Sequence, residues 1–127
     1  MELYFGGAFQ GKLDYVLRKK GKQLRVVDGE DCNSSDWASA DIFNHLHLLI
    51  RKRLQAGEPT DTLIEELYAA NPQIIVICDE VGGGIVPLEK ADRLYRETVG
   101  RVLCQAVQRA DTVERILCGM GQILKKA

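Results

Sequence analysis

The chain has 127 residues, 46% hydrophobic and 28% charged, with 17 basic against 18 acidic side chains and a net charge of −1. That balance excludes a general nucleic-acid footprint, which needs a basic surplus or stripe to neutralise phosphates. No apolar run reaches membrane-spanning length and no signal-peptide pattern opens the chain, so one soluble, cytoplasmic domain over residues 1–127 is expected, with no membrane partner.

Glu2-Leu3-Tyr4-Phe5 predicts a short buried strand. It runs into Gly6-Gly7-Ala8-Phe9-Gln10-Gly11-Lys12-Leu13, which has the G-x-x-x-x-G-K spacing of a phosphate-binding loop but carries Leu13 where Ser or Thr should follow the lysine. Residues 12–20 predict a helix, with apolar side chains at 13, 16 and 17, three basic residues in its last turn and a stop at Gly21. In a strand–glycine loop–helix unit the backbone wraps a phosphate closely and the helix N-terminus adds partial positive charge. Lys12 would reach the outer phosphates of ATP or GTP. Leu13 cannot hold Mg2+ through a hydroxyl, so the loop predicts a phosphate cradle with impaired metal placement.

Residues 23–27 predict a second strand, ending at Asp28-Gly29. Asp28 is a candidate catalytic or metal residue, able to orient Mg2+ through water or to accept a proton from a substrate hydroxyl. A plain turn or helix-capping acid is the alternative. Glu30 and Asp31 are expected in solvent.

From Ser34-Ser35-Asp36 a long amphipathic helix is predicted to about Ala56, on the spacing of Ile42, Phe43, Leu46, Leu49, Ile50 and Leu54. Trp37 is expected to anchor its start. His45 and His47, two positions apart on that helix, would point to different faces and make no metal pair. Arg51-Lys52-Arg53 would complement the helix dipole. A short helix through Leu63, Ile64, Leu67 and Tyr68 follows, capped by Thr60 or Asp61 and stopped by Asn71-Pro72.

Residues 73–78 are apolar almost throughout and predict a central strand. It ends at Asp79-Glu80-Val81-Gly82-Gly83-Gly84-Ile85-Val86-Pro87, on the same sheet edge as the first glycine loop. Two carboxylates and three glycines there predict a binding loop, with Glu80 a candidate catalytic residue. A helix over 88–110 is predicted with Ala91, Leu94, Tyr95, Val99, Val102, Leu103, Ala106 and Val107 as its core stripe. Residues 112–118 predict a last strand, ended by Gly119-Met120-Gly121. Cys32, Cys78, Cys104 and Cys118 form no C-x-x-C pair, and three of them sit in apolar runs expected to be buried, as reduced thiols. The order β-α-β-α-α-β-α-β predicts an α/β sandwich with a mostly parallel sheet.

Residues 79–87, then Tyr95-Arg96-Glu97-Thr98-Val99-Gly100-Arg101 and the close Cys118-Gly119-Met120-Gly121-Gln122-Ile123-Leu124-Lys125, resemble the C-terminal half of the adenosylcobinamide kinase / adenosylcobinamide-phosphate guanylyltransferase family. That family has N-E-V-G-x-G-I-V-P, an A-G-R helix step and a G-x-x-x-K tail. Its first loop, G-G-A-R-S-G-K-S, is matched by Gly6-Gly7-Ala8 and Gly11-Lys12.

The resemblance implies a P-loop NTPase-like (RecA-like) three-layer fold and a role in cobalamin (vitamin B12) assembly. It further implies nucleotide and corrinoid ligands and a homo-oligomer, usually a trimer. Its activity is phosphorylation of the aminopropanol hydroxyl of adenosylcobinamide, followed by GMP transfer. Phe9, Gln10 and Leu13 replace the family's Arg and two Ser residues, and Asp79 replaces its Asn. The segment carrying its GMP-accepting histidine ahead of Asp28 is missing, and His45 and His47 cannot be carried over as that residue. A kinase without guanylyl transfer is therefore one expectation; a non-catalytic nucleotide- or corrinoid-binding subunit is the other.

Overall fold

The structure is a computed structural model, and it describes residues 1–21, 23–81 and 89–127. Strand β1 (Glu2–Gly6) leads through the glycine loop into helix α1 (Lys12–Lys20), whose C-terminus is closed by Gly21 at φ 66°. Strand β2 (Val26–Asp28) follows, then a 3₁₀ turn at Ser34–Ser39, strand β3 (Ile42–Asn44) and helix α2 (Leu46–Ala56). Helix α3 (Leu63–Ala70) and strand β4 (Ile75–Asp79) precede the long helix α4 (Lys90–Arg109). The chain closes with strands β5 (Thr112–Leu117) and β6 (Met120–Lys125).

Among the described residues the sheet has six strands in the order β2-β3-β4-β1-β5-β6, parallel except for the β5–β6 hairpin. Helices α2, α3 and α4 bury Leu3, Val27, Phe43, Val76, Cys78 and Val113 on one face. On the other face α1 brings Val16 against Tyr4, Ile42, Ile75, Ile77 and Ile116. The result is the three-layer, P-loop NTPase-like α/β arrangement expected, with β4 inside the sheet between β1 and β3.

The helix expected over 34–56 is corrected. Its N-terminal half is a 3₁₀ turn and a strand, because Ile42, Phe43 and Asn44 are all buried between the two helical layers and pair with β2 and β4. Asp41 fixes the entry: its carboxylate accepts the Arg25 N–H at 2.8 Å, while the Asp41 and Ile42 amides donate to the Arg25 carbonyl. The crossover between the second and third predicted strands therefore contains a strand of its own. Trp37 does anchor this segment, buried edge-on to Phe43 with centroids 6.2 Å apart, a geometry contributing ~1 kcal/mol beyond area burial.

A second correction lies at the C-terminus. Cys118 (φ 51°) and Gly119 (φ 74°) make a two-residue turn, and the chain returns as β6 rather than ending. Cys78 is buried as expected, whereas Cys104 and Cys118 are exposed. In α4 the core contacts come from Tyr95, Val99, Val102, Leu103 and Ala106; Ala91, Leu94 and Val107 face solvent. The cap of α3 is Thr62.

Candidate functional site

Parallel strands deliver their C-terminal residues to one edge of the sheet, and here that edge carries Asp28, Asn44, Asp79 and Gly6. The chain leaves β1 for the far edge strand β2, then works back to β4 beside β1, so the loop after β1 and the C-terminal ends of β3 and β4 border a crevice. The crevice holds a cavity of about 430 Å³, lined by residues 8–14, Asn44, His45 and Asp79.

The glycine loop forms one wall. Phe9 sits at its apex, fully exposed at φ 59°, and Gly11 at φ 79° turns the chain into α1. Among the described residues the amides of Lys12, Leu13 and Asp14 have no acceptor, so the helix presents an open N-terminus to the cavity. Gly6 is required by packing: a Cβ there would lie 2.3 Å from the Ile116 carbonyl oxygen. Gln10 lines the cavity but is tied to the β5–β6 turn. Its side-chain oxygen accepts the Cys118 N–H at 2.6 Å and its carbonyl accepts the Gly119 N–H at 2.9 Å. Leu13 packs on the apolar layer under α1.

Lys12 is the centre of the site, only 7% exposed. Its ammonium donates to the Gly7 carbonyl at 2.8 Å and pairs with Asp79 Oδ1 at 2.6 Å. The other Asp79 oxygen lies 3.3 Å from His47 Nε2, and the Asp79 N–H donates to His47 Nδ1 at 3.0 Å. Because Nδ1 is an acceptor here, the ring proton sits on Nε2 and faces the carboxylate. Burial lowers the His47 pKa from its ordinary value, outweighing the pull of Asp79 in the other direction. His47 is therefore a neutral imidazole, further fixed by the Tyr95 hydroxyl, which donates to its carbonyl at 3.0 Å. Burial pushes that phenol up to about 12.

Asp28 stands at the end of β2. One of its oxygens accepts the Glu30 N–H at 2.9 Å and the other meets His45 Nδ1 at 2.8 Å. His45 is not on the helix: it caps α2 in the left-handed region, at φ 59° and ψ 50°. That break brings the two histidine rings together, 5.4 Å apart and nearly perpendicular. The expectation that they point apart is corrected, and both belong to the site that sequence reasoning assembled without them. Glu80 and Val81 go elsewhere. The Glu80 N–H donates to the Gly6 carbonyl at 2.7 Å, its carboxylate pairs with Arg115 at 3.2 Å, and both residues line a separate apolar groove beside α4. Gly82, Gly84 and the rest of that loop to Pro87 lie outside the described residues.

The carboxylates at this edge are engaged by the protein's own groups and form no ready-made metal cage. Among the described residues no three acidic, histidine or cysteine side chains form a metal-holding group. The Asp79 carboxylate is taken by Lys12 and His47, and that of Asp28 by His45 and the Glu30 amide.

A family model described as cobinamide kinase / cobinamide phosphate guanyltransferase matches residues 14–124. The chain belongs to the cobinamide kinase / guanyltransferase family. It is thus a member of a cobalamin-biosynthesis family of kinases and transferases that use ATP or GTP. The matched span includes Asp28, both histidines and Asp79 but begins after Lys12, so the phosphate reading of the glycine loop stands on its geometry. No curated protein sequence matches the chain. Among the described residues no helix is long and apolar enough to cross a membrane.

Proposed function

We propose that this family member is a cobinamide kinase-type phosphotransferase that holds ATP or GTP phosphates over residues 6–13 and transfers the terminal phosphoryl group to a corrinoid hydroxyl, without guanylyl transfer. The observation that carries this reading is the nearly buried Lys12 ammonium at the open N-terminus of α1, inside a cavity walled by the glycine loop. Backbone amides and one lysine neutralise charge on a transferring phosphoryl group, where catalysis is mostly positioning and electrostatics. Loss of guanylyl transfer follows from the missing histidine segment, since His45 and His47 are already committed to Asp28 and Asp79. The apolar side chains exposed on β6, Met120, Ile123 and Leu124, support a homo-oligomer.

A second reading has its own support. Asp79 and the Gly7 carbonyl already satisfy Lys12, and Leu13 has no hydroxyl, as in a nucleotide- or corrinoid-binding subunit without catalysis. Titration with ATP and GTP, with and without Mg2+, followed by a turnover assay with cobinamide, separates the two. The kinase reading expects turnover that is lost in Lys12→Ala. Binding without turnover, with activity gained in Leu13→Ser, supports the second reading. No thermal shift with ATP, GTP or cobinamide overturns both.

A further inference from the structure

Two histidines stand side by side at this site, only His45 lines the cavity, and their polar contacts set them to different tasks. Both ring nitrogens of His47 are engaged by Asp79, one by its backbone and one by its carboxylate. Among the described residues His45 is held from one side only. Its Nδ1 lies 2.8 Å from Asp28 Oδ2, and an ionised carboxylate only accepts, so the ring proton is on Nδ1 and Nε2 is the basic nitrogen. The ring is 40% exposed and forms part of the cavity wall shared with Lys12.

The backbone holds it there under strain. A histidine in the left-handed region persists only where its surroundings impose it, and such residues cluster at functional sites. The clamp is Gly29, whose N–H donates to the Asn44 carbonyl at 2.8 Å. It passes so close that a Cβ on it would lie 2.3 Å from the His45 carbonyl oxygen. The same turn that carries Asp28 therefore fixes the backbone of the histidine that Asp28 orients.

We propose that His45, oriented by Asp28, is the general base that takes the proton of the acceptor alcohol during phosphoryl transfer. This rests on the phosphotransferase reading. The alcohol oxygen bonds to the terminal phosphorus of a nucleoside triphosphate, and its proton passes to His45 Nε2. The bond from that phosphorus to the bridging oxygen breaks, and the nucleoside diphosphate leaves with the electron pair. Asp28 stabilises the imidazolium formed, as a carboxylate behind a catalytic histidine does. Asp28 is thus a positioning residue and not itself the proton acceptor. Among the described residues Asp28 from β2 meets His45 directly, the His47 ring from α2 lies beside it, and Asp79 from β4 and Lys12 and Asp14 from α1 line the same cavity.

The test measures kcat and KM against pH with ATP and cobinamide for the full chain, His45→Gln and Asp28→Asn, with ATP affinity measured by calorimetry. His45→Gln is expected to lower kcat by about 10²–10⁴-fold and abolish the acid limb of the pH profile, with ATP affinity unchanged. Asp28→Asn is expected to lower kcat less and move that limb. If His45→Gln does not fold, His45→Asn replaces it, since Asn tolerates the left-handed backbone. A His45 variant that keeps wild-type kcat or its acid limb overturns this assignment alone. A wild type that binds ATP and transfers nothing to cobinamide or other alcohols overturns the phosphotransferase reading and this assignment with it.

Discussion

Lys12 and Asp79 face each other at 2.6 Å across the C-terminal ends of β1 and β4, so the one cation in the glycine loop is already neutralised by the protein's own carboxylate. A nucleotide phosphate entering the loop would compete with that carboxylate and be repelled by it. Asp79→Asn removes the competing charge and keeps an acceptor for Lys12. It is expected to tighten ATP or GTP binding about tenfold, ~1.4 kcal/mol, measured by calorimetry at fixed ionic strength. Unchanged or weaker binding would show that Asp79 does not compete with the phosphates.

Two glycines are fixed by contacts to backbone atoms that cannot move aside, Gly6 against Ile116 and Gly29 against His45. Gly6→Ala and Gly29→Ala are each expected to destabilise the fold by ~1–3 kcal/mol, the usual range for overpacking. Gly57→Ala, with open space around it, isolates the backbone term alone, since Gly57 at φ 71° is strained by any side chain. Urea unfolding of the three variants separates the two effects. Equal losses in all three would refute the steric account.

His47 is buried neutral, with its pKa lowered below the ordinary value near 6.5. The unfolded chain therefore binds a proton that the folded chain does not, and stability falls as pH drops below about 6.5. His47→Gln is expected to flatten the dependence between pH 7 and 5, although it lowers stability at pH 7. Urea midpoints at several pH values in that interval test this, and an unaltered slope in the variant would refute it.

Glu114 acts in the same sense at lower pH. Burial alone would raise its pKa, but the Lys19 ammonium and the Tyr15 hydroxyl, the latter at 2.5 Å, outweigh burial and hold it below the ordinary carboxylate value. A depressed folded pKa stabilises above the unfolded value of about 4.3 and is lost as pH falls through the folded one. Glu114→Gln is expected to remove part of the acid-induced loss of stability below pH 4, read by circular dichroism, at the cost of lower stability at pH 7.

The parts of the site legible in the sequence were those whose chemistry is local. Glycines at set spacing, a lysine opening a helix, and carboxylates closing an apolar strand mark β1, the loop, α1 and β4 without tertiary information. What stayed hidden depended on backbone breaks at residues that carry no turn signal. Ile42, Phe43, Leu46 and Ile50 fit a helical period, so nothing in their order reveals that His45 is left-handed and that Ile42–Asn44 is a strand. Once that break is missed, the i, i+2 spacing of His45 and His47 sends them to opposite sides, and the Asp28–His45 pair vanishes with it. Cys118 hid β6 in the same way, since a cysteine in the left-handed region gives no hairpin signal before Gly119. Glu80 directly follows Asp79 in the chain, but strand alternation sends it to Arg115 on the face away from Asp79.

Gln10 joins the tip of the glycine loop to the turn between β5 and β6 through both its side chain and its backbone. The outermost strand and the loop are therefore one mechanical unit. Were a subunit to grip β6 and shift that turn, it would change the loop's readiness for an anion. By thermodynamic reciprocity, an anion seated in the loop must change the grip on β6 by the same free energy.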